Sequence, residues 1–198
     1  MARLGGAGRI GLLGGSFNPA HAAHRRISLR AARLLRLDAV WWLVSPQNPL
    51  KESAGMAPLD ARLAKARRIA GFGPIRVTAI ESRLGTRYSL DTLRALGRRL
   101  PHARFVWIMG ADNLAQLHAW KRWPDLMRTV PVAIFDRPTY SRKALTSPAA
   151  RRFAGSRKPA REVAKLAGSP PPAWAFVTGA LDPLSATAVR QAGAWRGD

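Results

Sequence analysis

The chain has 198 residues and a mass of 21.6 kDa, which is the size of one domain, and its 47% hydrophobic residues are typical of a globular protein. It has no cysteine, which excludes a disulfide scaffold, a Cys-ligated zinc site, an iron–sulfur cluster and a thiol nucleophile. Its 33 lysines and arginines outnumber 11 acidic residues, and the net charge of +22 favours anionic partners such as nucleic acid or nucleotides.

Short apolar runs alternate along the chain with segments of helical spacing. In the first half of the chain, the pattern predicts a strand at 9–14, a helix at 22–37, a strand at 39–45, a helix at 58–70, a strand at 75–80 and a helix at 89–100. In the second half, it predicts strands at 105–109, 130–135 and 173–177 and a last helix at 185–194. Between the first two of these strands it predicts a helix in pieces at 114–127, which Pro124 interrupts. Strands separated by helices of this length predict one α/β domain over 1–198. Its open parallel sheet would carry helices on both faces.

The segment 137–165 departs from this alternation. It holds nine basic residues, one acidic residue and three prolines. We interpret it as a basic excursion from the sheet, part loop and part short helix.

No apolar run approaches the roughly 20 residues that span a bilayer, and the N-terminal region shows no signal-like pattern. We therefore expect a cytoplasmic protein without a membrane partner, either a monomer or a small homo-oligomer.

The first candidate site lies where the first predicted strand ends. Gly14 and Gly15 close this strand, and His21 and His24 follow at the start of the next helix. Glycines allow the backbone to approach a ligand, and a helix N-terminus offers unpaired N–H groups with a partial positive charge. Two histidines three residues apart share one face of the first turn and can donate hydrogen bonds to phosphate oxygens. The same spacing would also fit a metal pair, although no carboxylate lies nearby in sequence.

The helical wheel of the segment at 22–37 separates two kinds of residue. One side carries its large apolar residues and is expected to pack on the sheet: Ile27, Ala31, Leu34 and Leu35. The opposite side carries five arginines that are expected to face water: Arg25, Arg26, Arg30, Arg33 and Arg36. His21 and His24 fall beside the apolar side. The pattern therefore predicts that the histidines, and not the arginines, face the crevice above the sheet.

Six stretches in the same order resemble known enzymes. The sequence GGSFNPAHAAH from Gly14 is similar to the first signature of the HxGH nucleotidyltransferases, a Rossmann-like superfamily, and LSATAVR from Leu184 is similar to the second. The interior stretches SPQNPLK from Ser45, YSLDTL from Tyr88, GADN from Gly110 with Trp120-Lys121, and DRP from Asp136 resemble bacterial nicotinate-nucleotide adenylyltransferases. The resemblance covers nearly the whole chain. It implies a Rossmann-like fold and transfer of the adenylyl group of ATP to nicotinate mononucleotide, which gives deamido-NAD and pyrophosphate.

The resemblance also implies roles for individual residues. The histidines at 21 and 24 would stabilise charge near the α-phosphoryl group and act as the catalytic residues. The residues that would bind ATP are Gly14, Gly15, Ser16, Phe17, His21, His24, Ser185, Thr187 and Arg190. The residues that would bind nicotinate mononucleotide are Lys51, Tyr88, Ser89, Asp112 and Trp120. Mg²⁺ would accompany ATP and bridge its phosphate oxygens, without a metal site made by the protein.

Three positions depart from the family pattern, and two other functions remain open. Ala23 replaces the usual glycine and would place a methyl group beside the nucleotide, Asn18 replaces an aspartate, and Ser89 replaces a threonine. A related adenylyltransferase would use nicotinamide mononucleotide or pantetheine phosphate as its acceptor. A basic nucleic-acid-binding protein would explain the net charge, but the chain lacks the alternating aromatic and basic residues of such a surface.

Overall fold

The computed structural model describes residues 8–46 and 56–179. The strands of these parts are β1 (Arg9–Gly15), β2 (Ala39–Val44), β3 (Ile75–Thr78), β4 (Arg104–Gly110), β5 (Val132–Phe135), β6 (Arg157–Lys158) and β7 (Trp174–Val177). The α-helices are α1 (Ala22–Leu34), α2 (Leu59–Ala70), α3 (Ile80–Leu84), α4 (Ser89–Arg99), α5 (Ala111–Gln116), α6 (Trp123–Thr129), α7 (Ser141–Leu145) and α8 (Pro148–Arg152). Three 3₁₀ helices complete these elements: Leu117–Ala119, Ala154–Ser156 and Ala160–Gly168.

The seven strands form one sheet in the order β3-β2-β1-β4-β5-β7-β6, and every pairing within the described residues is parallel. The strands are rich in Val, Ile, Leu and Trp because both faces of a parallel sheet are buried. One face packs on α1, α2 and the 3₁₀ helix at Ala160–Gly168, and the other packs on α4 to α8. The predicted Rossmann-like α/β fold is therefore confirmed. No helix within these residues is long and apolar enough to cross a membrane.

The helix after β4 differs from its prediction. The helical structure after β4 ends at Ala119, and α6 begins at Trp123 with Pro124 in its first turn. Pro124 therefore starts a helix and does not interrupt one, because the first turn has no use for the N–H group that proline lacks. Similarly, the strand predicted at 75–80 ends at Thr78, and Ile80 begins α3. The helix predicted at 185–194 lies outside the described residues.

The basic segment at 137–165 leaves the sheet after β5 and returns to its edge through β6, which pairs with β7. The segment buries apolar side chains in the core, and these are Ala144, Ala149, Ala150, Phe153 and Val163. The segment therefore covers one edge of the domain with an apolar side, while its basic residues lie mainly at the surface.

Candidate active site

The candidate site lies at the carboxyl edge of the sheet, where β1 and β4 are neighbours. The strands β2 and β3 continue from β1 in one direction, and β5, β7 and β6 continue from β4 in the other. The connections after β1 and β4 therefore diverge and leave a crevice between them. Open α/β sheets bind ligands at such a point. The chain after β1 carries the two histidines, and the chain after β4 carries Asp112.

The two histidines are held together at the start of α1. His21 is the N-cap residue of this helix, and its backbone N–H donates to Nδ1 of His24 at 3.2 Å. The backbone N–H of His24 donates in turn to the carbonyl of His21 at 3.0 Å. The two rings lie 3.9 Å apart between centroids. The structure thus brings the predicted pair into direct contact at a helix N-terminus, where anions bind well.

An aromatic stack supports the ring of His24. Phe17, which has a φ of 47°, places its ring 4.8 Å from that of His24 and 5.0 Å from that of Trp42 on β2. The indole N–H of Trp42 donates to the Ser28 hydroxyl at 2.7 Å, and this hydroxyl donates to the His24 carbonyl at 2.7 Å. Phe17 is 2% exposed, so its side chain supports the site from below. Phe17 was predicted to bind ATP. Because its side chain is buried, this prediction now concerns its backbone.

The environment of His24 favours a neutral ring. Burial lowers the pKa of this imidazole well below its usual value of 6.5, and the nearby His21 and Arg137 lower it further. Because Nδ1 accepts the N–H of His21, the single hydrogen of the neutral ring is on Nε2. His24 can therefore act as a neutral hydrogen-bond donor near pH 7 through Nε2–H.

The glycines at the end of β1 have a packing role besides the predicted one. A Cβ added to Gly14 would lie 2.6 Å from the ring of Trp107 on β4, so no side chain fits there. A Cβ on Gly15 would meet only ordinary contacts with Phe17, at 3.5 Å or more. Both glycines and Ser16 are partly exposed, so their backbone is accessible at the crevice. Their part in ATP binding remains a prediction.

Asp112 on α5 forms an ion pair with Arg137, the second residue after β5. The Nη1 atom of Arg137 lies 2.8 Å from Oδ2 of Asp112, and both side chains are largely buried. The other carboxylate oxygen, Oδ1, is buried and has no hydrogen-bond partner among the described residues. A Cβ on Gly110 would collide with this oxygen, so a larger residue at that position would have to displace the carboxylate. The ion pair places Asp112 and a cation at the crevice.

Two of the predicted acceptor residues lie at the start of α4, and the segment of a third, Trp120, approaches them. Tyr88 is its N-cap residue and Ser89 its first residue, and both are partly exposed. The first N–H groups of an α-helix have no partner within the helix. Nζ of Lys121 lies 4.3 Å from the centre of the Tyr88 ring, which brings the residue after Trp120 to this end of α4. The structure therefore brings Tyr88, Ser89 and the Trp120 segment together.

Four predicted site residues lie outside the described residues: Lys51, Ser185, Thr187 and Arg190. Ala23 is only 2% exposed, and its expected position beside the nucleotide stays a prediction. Asn18 is buried, and its side-chain oxygen accepts the backbone N–H of Ala57 at 3.2 Å. An amide oxygen is sufficient for that contact, so no negative charge is needed there.

Two cations near the site, Arg137 and Lys121, stand in the quoted stretches, but no role was predicted for either of them. Arg137 stands directly after a strand, in the quoted stretch DRP, and the carboxyl ends of parallel strands meet at one edge. That position was a usable signal. Lys121 directly follows Trp120, but its contact with Tyr88 depends on how the chain bends after Leu117–Ala119, which no pattern predicts.

Comparison with known proteins gives consistent matches. The model of the family described as cytidylyltransferase-like matches residues 12–192. A relative from Cereibacter sphaeroides, named as a probable nicotinate-nucleotide adenylyltransferase, is 55% identical over 94% of this chain and 99% of its own length. A relative of the same name from Bradyrhizobium is 51% identical over 95% of this chain and 98% of its own length.

A solved structure agrees with the fold. The nicotinic acid mononucleotide adenylyltransferase of Plasmodium falciparum, complexed with NaAD, matches with a TM-score of 0.69. The match covers 93% of this chain and 83% of that chain at 16% sequence identity. At this identity, the likeness supports the arrangement of the sheet and helices.

Proposed function

The chain belongs to the cytidylyltransferase-like family, and we propose that within this family it acts as a nicotinate-nucleotide adenylyltransferase. It transfers the adenylyl group of ATP to nicotinate mononucleotide and forms nicotinate adenine dinucleotide and pyrophosphate, a step of NAD biosynthesis. The observation that carries this conclusion is the contact between His21 and His24 at the start of α1, in a chain about half identical to relatives of that name along nearly its whole length.

The reaction requires positioning and charge neutralisation. An oxygen of the acceptor's 5′-phosphate attacks the α-phosphorus of ATP in line, and the bond from that phosphorus to the bridging oxygen of pyrophosphate breaks. No side chain has to become covalently attached. Negative charge accumulates on the phosphoryl oxygens and on the leaving group, so fixed donors and cations at those atoms lower the barrier.

The residues at the β1 and β5 ends fit these requirements. The Nε2–H of His24 is a donor that adds no charge, and the N-terminus of α1 adds a partial positive charge. Arg137 supplies a full positive charge close enough to His24 to lower its pKa. We assign His21 and His24 to the phosphates of ATP, and Arg137 to the charge that develops during transfer. Ser185, Thr187 and Arg190 are proposed to hold the outer phosphates.

The start of α4 suits an acceptor that carries a carboxylate. The N–H groups of its first turn are donors, and Lys121 adds a positive charge beside Tyr88. Trp120 offers an indole ring for stacking on a flat pyridine ring. The unpaired Oδ1 of Asp112 can accept a hydrogen bond from a ribose hydroxyl. Lys51 is proposed to bind the phosphate of the mononucleotide.

Mg²⁺ is proposed to enter with ATP. Mg²⁺ prefers oxygen ligands and is commonly bound through substrate phosphates, so the phosphate oxygens of ATP are its proposed donors. Among residues 8–46 and 56–179, no cluster of three His, Asp or Glu side chains is present that could hold a metal ion. When bound to ATP, the ion neutralises charge on the phosphates. The protein would work in the cytoplasm without a specific nucleic-acid partner and without a membrane partner, and a monomer or small homo-oligomer remains its predicted state.

The test is formation of pyrophosphate by the purified protein with ATP, Mg²⁺ and one acceptor at a time. We expect turnover with nicotinate mononucleotide and a product with the mass of nicotinate adenine dinucleotide. Higher turnover with pantetheine phosphate or nicotinamide mononucleotide would move the protein to a different adenylyltransferase. Binding of nucleic acid without pyrophosphate formation from any acceptor would favour the nucleic-acid-binding alternative.

A further inference from the structure

Arg62 on α2 is a buried cation outside the groups assigned to the reaction. Its side chain is among the largest that the protein buries completely, with 1% exposure. Arginine is almost never fully buried unless its donors are paired. All four of its hydrogen bonds described in the structure go to backbone carbonyls. Helix α2 has many exposed positions at which a basic residue would stay in water. The burial of Arg62 therefore indicates that its contacts have a specific role.

The four carbonyls come from three separate stretches of chain. Nη1 donates to the carbonyls of Ser16 and Ser45, each at 2.7 Å, and Nη2 donates to the carbonyl of Pro46 at 2.9 Å. Nε donates to the carbonyl of Ala57 at 2.9 Å. One rigid, planar guanidinium thus joins the loop after β1, the chain after β2 and the start of α2.

These stretches flank both proposed substrate positions. Ser16 is in the loop between β1 and the histidines, and Ser45 and Pro46 lead toward Lys51, which follows Pro46 by five positions. The two loops leave neighbouring strands, since β1 pairs with β2. The backbone N–H of Ser45 also donates to the carbonyl of Gly15 at 2.9 Å. Arg62 therefore reinforces the point at which the two loops separate.

A second set of contacts connects Ser45 to α4. The side chain of Ser45 hydrogen-bonds with the buried carboxyl group of Glu81 on α3. The Thr92 hydroxyl on α4 donates to the same carboxyl group at 3.4 Å, and it also lies 2.8 Å from the Thr86 hydroxyl. Together with the hydrogen bond from Ser45 to Gly15, these contacts connect the end of β1 to the helix whose first residue is Ser89.

We propose that Arg62 is a positioning residue for adenylyl transfer, which holds the loop after β1 and the chain after β2 in one fixed arrangement. It touches neither substrate. Its effect is on the distance and angle between the acceptor phosphate and the α-phosphorus of ATP, and an error of about 1 Å in such a geometry can reduce a rate by about 10²-fold. The proposal rests on the proposed function for the identity of the reaction.

The experiment compares Arg62→Met with Leu63→Ala. Leu63 is the next residue of α2 and is buried in the core, so its truncation destabilises the same helix without removing a hydrogen bond to either loop. Measured well below both melting temperatures, Arg62→Met should lower kcat at least about tenfold and change each KM less than kcat. Leu63→Ala should keep kcat within about twofold, since a positioned site is unaffected when only the overall stability falls.

A conservative variant and a second readout complete the test. Arg62→Lys keeps a cation but cannot reach all four carbonyls, so its kcat should lie between those of wild type and Arg62→Met. If Arg62→Met does not fold, Arg62→Lys replaces it in the comparison with Leu63→Ala. Hydrogen exchange of the amides of residues 15–17 should accelerate in the Arg62 variants and not in Leu63→Ala. This readout needs no turnover, and wild-type acceptor use tests the proposed function separately. Equal kcat in Arg62→Lys and wild type, or exchange that follows melting temperature in all variants, would overturn the proposal.

Discussion

The backbone N–H of His21 donates to Nδ1 of His24, and this single contact at 3.2 Å determines what the second histidine can do. A ring nitrogen that accepts a hydrogen bond carries no proton, so the neutral ring keeps its hydrogen on Nε2. Burial lowers the pKa of His24, nearby His21 and Arg137 lower it further, and the ring is therefore neutral at pH 7. The site therefore offers a directed donor to phosphate without a second full charge.

The depressed pKa of His24 predicts how stability depends on pH. The unfolded chain takes up a proton at this residue near pH 6.5, whereas the folded protein does so only at lower pH. The contribution to stability is therefore complete above about pH 6.5 and is lost as the pH falls through the folded pKa. Melting curves of the free protein should show this loss, and it should be smaller in His24→Asn. An identical pH dependence in the two proteins would contradict the neutral ring.

Two substitutions of His24 separate its Nδ1 from its Nε2. Asparagine can place an acceptor near the position of Nδ1 but has no group at Nε2, whereas glutamine can place a donor near Nε2. His24→Asn should therefore lower kcat by at least about 10²-fold, the range for loss of a transition-state donor, and His24→Gln should lose less. Steady-state rates with saturating ATP measure both. The reverse order of the two variants would show that the catalytic contact is made by Nδ1.

Gly110 and Gly97 form a matched pair of glycine tests. A methyl group at Gly110 would collide with Oδ1 of Asp112, whereas one at Gly97 on α4 would meet nothing within 4 Å. Gly110→Ala should therefore displace the carboxylate and raise the KM for the acceptor, as Asp112→Asn should. Gly97→Ala should leave the kinetics unchanged and stabilise the protein by up to about 1 kcal/mol, because alanine favours a helix. An unchanged acceptor KM in Gly110→Ala would remove Asp112 from the binding site.

Glu81 gives a prediction of the opposite sign. Burial raises the pKa of this carboxyl group above its usual value of 4.5, against the opposing effect of hydrogen bonds from Ser45 and Thr92. The contribution to stability is present below about pH 4.5 and is lost as the pH rises through the folded pKa. Glu81→Gln should therefore raise the melting temperature near pH 7, and its advantage should shrink as the pH falls toward 4.5. A constant difference at all pH values would show that the effect is not electrostatic.

Local patterns in the sequence predicted the apolar face of α1 and every described strand except the two-residue β6, which lies in the segment interpreted as loop and short helix. Ala31 and Leu35 are buried, and Ile27 and Leu34 pack against the core, as the helical wheel predicted. The five arginines of the opposite side were predicted less well. Nε of Arg25 donates to the carbonyl of Ala70 at 3.2 Å, and Nη2 of Arg30 donates to the carbonyl of Thr178. A long side chain can reach back over its helix, and a wheel contains no information about side-chain reach.

Contacts between stretches that are distant along the chain could not be predicted from sequence patterns. Arg62 looks like any basic residue of an amphipathic helix, and its burial follows from carbonyls up to 46 positions away. Gly14 was interpreted through its ligand, although the ring of Trp107 on the neighbouring strand already requires a glycine there. In both cases the decisive partner belongs to another strand or loop, so only the pairing of β1 with β2 and β4 reveals it.

The carboxylate of the acceptor is the feature on which the proposed specificity depends. Nicotinamide mononucleotide would present an amide NH₂ group to donors at the start of α4 and would lose the attraction to Lys121. A hydrogen bond to a charged group contributes about 1.5–3 kcal/mol, so two of them correspond to about 10² to 10⁴ in kcat/KM. Ser89→Ala should reduce this preference mainly by weakening the acid. Trp120→Ala should affect both mononucleotides alike, because stacking does not distinguish the two groups.

The most direct measurement is the ratio of kcat/KM for nicotinate mononucleotide and nicotinamide mononucleotide with the wild-type protein, at the same concentrations of ATP and Mg²⁺. The account predicts a ratio of at least about 10² in favour of the acid. Equal use of the two mononucleotides would contradict the carboxylate site at the start of α4, and with it the assignment of nicotinate mononucleotide as the acceptor.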